Sequence, residues 1–241
     1  YDFRYSVDFN VRGDMSSQFG ADSKLKPFWS VGARWNASRE KWLEGTAISN
    51  LVLRTSYGIT GSQNYDPYQA IEGYTFEEMM FQYLSSGVIG SKLKGFGNPD
   101  LDWSTTEDFS AAIELGFFNN DLTLSLDYFV KKNVDLLAQI DLNLSSGQIF
   151  EINSSREKPY VNTASVKNTG WEFMMNYRKQ LTKDFHIDAT FNIATLKNKV
   201  LSLGENVQPI TSGAMSSYFN DAASITMPGE AIGSFYGYKI D

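Results

Sequence analysis

The 241-residue sequence offers little that does acid–base or metal chemistry: it has one histidine, His186, and no cysteine. A zinc site or a Cys–His dyad needs several such groups brought together, and one imidazole does not supply them. No catalytic residue, metal ligand or cofactor site is therefore assigned, and an enzyme is not expected. Carboxylates stand close together at Glu77 and Glu78 and at Asp100 and Asp102. Glycoside hydrolysis needs two of them held across a cleft; as neighbours in a polar stretch these read as solvated loop charge. The aromatic residues are more informative. Tyr65, Tyr68, Tyr74, Phe76, Phe81 and Tyr83 crowd into residues 63–102 among glycines and polar groups. Such rings stack on sugars or grip peptide side chains, and they serve equally to pack a loop or to meet a partner protein.

The elements that position this loop are strands. Tyr1, Phe3, Tyr5, Val7, Phe9 and Val11 alternate with Asp2, Arg4, Ser6, Asp8, Asn10 and Arg12. Period two puts all the apolar groups on one face and the polar groups on the other. The run is long enough to cross a hydrocarbon layer as a tilted barrel strand, which takes about 9–11 residues. The pattern recurs at Trp29–Trp35, Leu51–Ile59, Trp103–Phe117 with Glu107 as an exception, Leu122–Val130, Trp171–Tyr177 and Phe185–Ile193. The run from Leu122 is expected to bend near Asn133 and continue toward Leu142. An eighth strand begins near Gly233.

The connections alternate in character. Long polar ones cover residues 13–27, 63–102, 143–162 and 204–231; shorter ones cover 37–47, Asn119-Asn120 and Thr182-Lys183. Several long loops on one side are rare in a compact soluble domain and normal in outer-membrane barrels, whose short turns are periplasmic. Trp35, Trp42, Phe117, Phe118 and Phe185 lie beside the short turns, where an interfacial girdle belongs. A turn of helix capped by Ser38 is expected over Ser38–Glu44.

Composition is compatible with this picture. Net charge is −7, so no basic patch answers nucleic acid. Mean hydropathy is −0.31 and no apolar run is long enough for a spanning helix, but a barrel hides its lipid face in alternation. A soluble or surface-exposed all-β binding or adhesion module has the same composition and stays open at this point.

Five stretches then carry a resemblance. Arg12-Gly13-Asp14-Met15-Ser16-Ser17-Gln18-Phe19-Gly20 with the Pro27–Trp35 strand, Leu53-Arg54-Thr55-Ser56-Tyr57-Gly58-Ile59-Thr60-Gly61, Asn98-Pro99-Asp100-Leu101-Asp102-Trp103, Asp127–Leu137, and Gly233-Ser234-Phe235-Tyr236-Gly237-Tyr238 follow in the order seen in one family. The chain resembles the β-barrel of SusC/RagA-type TonB-dependent outer-membrane transporters over nearly its whole length. Ser62, Ser104 and the stretch Asn162-Thr163-Ala164-Ser165 depart from the family pattern.

The resemblance implies an antiparallel transmembrane barrel of about 22 strands around a plug, of which residues 1–241 are expected to form a segment of about eight strands. Plug and TonB box are expected outside this chain. The resemblance also implies active import of an oligosaccharide or peptide, a SusD/RagB-like surface lipoprotein partner, contact with the TonB complex, and an outer-membrane location in contact with lipid. Residue by residue, Gly58 and Gly61 are expected to supply a positive φ or a bulge at a strand end. Pro99 holds Asn98 extended, and His186 is expected to face the lumen as a hydrogen-bonded wall residue.

Overall fold

The computed structural model describes residues 3–17, 25–62, 70–78, 89–95, 97–139, 160–204, 207–214 and 222–237. Its main body is one antiparallel sheet of seven strands. In chain order the strands are β1 (Tyr5–Met15), β2 (Leu25–Asn36), β3 (Ile48–Ser62), β4 (Gly73–Glu78), β5 (Ile89–Gly95), β6 (Ser104–Phe117), β7 (Leu122–Gln139), β8 (Tyr160–Gln180), β9 (His186–Ser202), β10 (Ile210–Ala214), β11 (Ala222–Thr226) and β12 (Ser234–Phe235). The main sheet runs β1-β2-β3-β6-β7-β8-β9, a meander from which the β4–β5 hairpin is looped out between β3 and β6.

Register turns the period-two pattern into continuous rows. Tyr5, Trp35, Leu53, Ile113, Leu126, Phe173 and Ile193 are successive cross-strand partners. The next row is Val7, Ala33, Thr55, Ala111, Tyr128, Trp171 and Thr195. A one-residue slip on any strand would turn its whole apolar set to the polar face, so the rows fix the register. This apolar face is uncovered: Val7, Phe9 and Val11 are 72%, 68% and 63% exposed. Bare apolar surface over a sheet of this size has lipid or protein as its natural neighbour, not water.

All seven long strands begin within a few residues of their expected starts or extend beyond them. The bend in β7 is a bulge: register shifts between Asn133 and Leu137, with Asp135 at φ 56°. The tight turn after β6 takes three successive left-handed residues, Phe118, Asn119 and Asn120, a conformation for which asparagine is well suited.

Four expectations are corrected. Residues 63–102 and 204–231 are not structureless, because they carry the β4–β5 and β10–β11 hairpins. The first long loop is shorter than expected, since β1 runs to Met15 and β2 starts at Leu25. Ser38 caps no helix: two short 3-10 turns occupy Ala37–Arg39 and Lys41–Leu43. Its hydroxyl instead receives the Leu51 N–H at 2.7 Å and reaches the Asn50 Oδ1 at 3.0 Å, tying the turn back to β3. Gly58 and Gly61 have no positive φ and no bulge. They make room: a Cβ on Gly58 would sit 2.8 Å from that of Ser30, and one on Gly61 would sit 2.1 Å from the Phe28 ring. The eighth strand is described as β12, which pairs with β11 in a small separate sheet.

Candidate functional site: the polar wall and its outer end

The polar face of the sheet is built by the residues between the apolar rows. Arg54 on β3 reaches Glu114 on β6 at 2.9 Å and Asp127 on β7 at 3.6 Å. Asp127 also accepts the Ser125 hydroxyl at 2.7 Å. Two rows further along, Lys131 faces Asp108 at 3.5 Å, and Asn198 donates to Asn168 at 2.6 Å. Ser56 and Ser110 share a hydrogen bond at 2.8 Å. All are at least partly exposed, so each ion pair adds less than about 1 kcal/mol to stability. Their collective effect is a wettable wall of mixed charge. His186 lies on this face at the short-turn end, opposite Gln180.

At the long-connection end the wall is closed by a polar node. Asn98 accepts the Asp100 N–H at 3.0 Å and donates to the Tyr160 carbonyl at 2.8 Å. That side-chain-to-backbone turn is what Asn before Pro favours. Asn162 at the start of β8 then accepts the Asp102 N–H at 2.8 Å and donates to the carbonyls of Asp102 at 2.7 Å and Asp135 at 2.9 Å. Lys26 adds an ion pair to Asp102 at 2.8 Å. Beneath this node Leu101 and Trp103 are buried, and Trp103 meets Phe28 edge to face at 5.6 Å. One asparagine thus joins the approach to β6, the bulge of β7 and the start of β8. In the sequence, Asn162 stands out only by falling in a stretch that departs from the family pattern.

The aromatic loop is described in part. Tyr65, Tyr68, Phe81 and Tyr83 lie outside the described residues. Tyr74 and Phe76 fall on β4, not on a loop. Tyr74 is exposed and donates to Glu72 at 3.1 Å, which pushes its hydroxyl above the ordinary phenol value of 10.0. The base of this hairpin is drawn tight where Gly97 lies against the backbone of Ile71 and Glu72, close enough that a Cβ would sit 2.4 Å from it.

A depression of about 560 Å³ lies on the opposite, apolar face, where Ala33, Thr55 and Ala111 are small beside Trp35, Ile113 and Trp171. It offers almost no polar group to orient a ligand, which a binding pocket needs.

A family model described as "TonB dependent receptor-like, beta-barrel" matches residues 1–228. The chain belongs to that family. It is 31% identical over 240 residues to TonB-dependent receptor P3 of Formosa agariphila, covering 99% of this chain and 23% of that protein. It is 30% identical over 251 residues to TonB-dependent receptor SusC of Bacteroides thetaiotaomicron, covering 98% of this chain and 24% of that one. Among solved structures it is similar to the RagAB peptide importer in its closed-closed state, with a TM-score of 0.78 and 26% identity over 96% of this chain and 23% of the other. The chain therefore spans about a quarter of the length of these relatives.

The geometry now has a frame. This segment of a SusC/RagA-type TonB-dependent receptor barrel sits in the outer membrane; its apolar rows face lipid and its polar rows line the lumen. At 18, 21 and 17 residues β7, β8 and β9 exceed what the hydrocarbon requires and stand out beyond it. Membership of this family sets the soluble binding module aside. The family consists of transporters, not enzymes.

Proposed function

We propose that the full protein actively imports a polar oligomer, an oligosaccharide or a peptide, driven by TonB and served by a SusD/RagB-like surface lipoprotein. The observation that carries this reading is the lumen wall within a TonB-dependent receptor barrel. Its Asn, Ser and paired charged groups offer donors and acceptors along the part of the wall that this chain supplies, as a hydroxyl- or amide-rich cargo requires. The RagAB structures, which are of a peptide importer, support the peptide arm and the two-component arrangement. The aromatic residues Tyr65, Tyr68, Tyr74, Phe76, Phe81 and Tyr83 are proposed to contact cargo or lipoprotein, since aromatic faces suit sugars and apolar side chains alike.

The test is uptake of labelled oligosaccharides and peptides by cells with and without the gene, before and after collapse of the inner-membrane proton gradient. Loss of one cargo class in both conditions supports import; uptake that ignores the gradient refutes TonB coupling. Replacing Tyr65, Tyr68 and Tyr74 by Ala in the full-length protein is expected to weaken cargo or lipoprotein binding. Unchanged affinity for both would refute the aromatic assignment while leaving the transport reading standing.

A further inference from the structure

The lipid-facing side of the sheet carries formal charge only toward its two ends. At the long-connection end, which is the outer one in a barrel of this kind, the outward positions hold Glu107, Lys132, Lys167, Lys197 and Lys199. Glu107, Lys132, Lys167 and Lys199 are consecutive cross-strand partners on β6, β7, β8 and β9. Like charges placed directly opposite one another destabilise a sheet, and here three lysines stand side by side. Only Lys132 has a counter-charge, Glu107 at 3.6 Å; Lys167, Lys197 and Lys199 have no carboxylate within 4.0 Å among the described residues. Four ammonium groups against one carboxylate is a local surplus of positive charge in a chain whose net charge is −7.

The placement is as pointed as the charge. The row begins one outward position beyond Phe109 and Val130, where the alternating apolar run of the lipid face on β6 and β7 is broken; on β7 Val134 follows one outward position further on. Beside it, a depression of about 330 Å³ is walled by Tyr57, Phe109, Val130 and Leu201, with Glu107, Lys132 and Lys167 at its edge.

We propose that this lysine row seats the phosphates of a phosphorylated glycolipid of the outer leaflet, with one of its acyl chains entering the depression. Lysine stems lie along apolar wall while their ammonium groups rise into the headgroup layer, and phosphate oxygens relieve the mutual repulsion through charge-assisted hydrogen bonds. The row points sideways into the membrane plane. A surface lipoprotein above the barrel would meet the loop ends instead, so lipid is the occupant the geometry favours. The inference rests on the barrel's orientation and not on the cargo it imports.

The test uses the full-length transporter in phosphatidylcholine vesicles doped with diphosphoryl lipid A or with its dephosphorylated form. The parent protein should retain the phosphorylated lipid through purification, as seen by mass spectrometry of the intact complex, and release it at high salt. The triple variant Lys132→Gln, Lys167→Gln, Lys199→Gln should bind it roughly a hundredfold more weakly. Lys179→Gln, an outward lysine at the opposite end, should change nothing. Heat-modifiable gel migration reports whether each variant is folded; if the triple variant does not assemble, the comparison of the two lipids on the parent decides. Equal binding of both lipids, undiminished binding by the triple variant, or loss of lipoprotein affinity with lipid binding intact would each overturn the proposal.

Discussion

Replacing Asn162 by Asp should open the outer end of the sheet without disturbing its middle. The side chain makes three hydrogen bonds: one accepted from the Asp102 N–H, and two donated to the carbonyls of Asp102 and Asp135. Aspartate is nearly isosteric and keeps the acceptor, but its charged form has no donor. At about 1 kcal/mol net for each bond, Asn162→Asp should cost about 2 kcal/mol and Asn162→Ala about 3. The freed carbonyls are within reach of water, so no further desolvation penalty is expected. A loss of about 2 kcal/mol is roughly a thirtyfold shift in a local opening equilibrium. Hydrogen exchange on the full-length protein in detergent is the assay. The Asp102 amide and those beside the β7 bulge should exchange about thirtyfold faster, while the Ile113 amide at the centre of β6 should keep its rate. Unchanged exchange at Asp102 would show that the node holds nothing together. A uniform acceleration through β6, β7 and β8 would show that it belongs to the global fold and not to its outer end.

Two further predictions concern the packing at the outer end and the turn at the inner one. Gly61→Ala places a methyl 2.1 Å from the Phe28 ring, an overpacking expected to cost about 1–3 kcal/mol in urea unfolding of the barrel. Pairing it with Phe28→Leu should recover part of that loss, whereas strictly additive effects would refute the close-approach explanation for Gly61. Glu40, in the short-turn segment, accepts the Tyr5 hydroxyl at 2.9 Å and the Trp35 indole N–H at 3.4 Å, with Arg4 at 3.6 Å. Chiefly through the Tyr5 hydrogen bond, its carboxyl is held below the ordinary 4.5. A depressed folded value contributes stability that is fully present above the unfolded one and is lost as pH falls through the folded one. Trp35 emission should therefore shift only below pH 4.5 and stay flat across that range in Glu40→Gln; a transition centred at or above 4.5 would contradict the assignment.

The strands were legible because their signal is local and repeated. Alternation at Tyr5–Val11 or Leu122–Val130 names the face of each residue before any partner is known. The β4–β5 and β10–β11 hairpins escaped, since sequences such as Gly73-Tyr74-Thr75-Phe76-Glu77-Glu78 have too few alternations to stand out from a polar loop. The glycines misled for a different reason. Gly58 and Gly61 look like turn residues in one dimension, and what they accommodate, Ser30 and Phe28, lies on the neighbouring strand. The Asn162 node is likewise a long-range feature, because Asp102 and Asp135 come to it from other segments of the chain. The lysine row was visible only as isolated polar residues until register aligned it.

The same register yields a measure of how the sheet stands in the membrane. On β1 the outward apolar run extends to Val11, which belongs to the row that ends in Lys199 on β9. On β9 the unbroken outward run of apolar residues ends at Ile193, six residues earlier along the strand than Lys199, and Leu201 stands apart beyond the lysines. The intermediate limits, Ile59 on β3, Phe109 on β6, Val130 on β7 and Trp171 on β8, step in the same sense. The lower limit moves with them, from Tyr5 on β1 to Phe117 on β6 and Ile187 on β9. A hydrocarbon boundary is level, so a limit that climbs through the rows means that the strands lean. Six residues at about 3.3 Å each is about 20 Å along a strand, against about 29 Å for six inter-strand spacings. The ratio corresponds to a tilt of about 35°, the inclination that closed barrels require. Soluble sheets have no reason to cut their apolar face on a diagonal. Here the diagonal is written in residue types, independently of any relative, and the lysines stand beyond the line at which the unbroken apolar runs end.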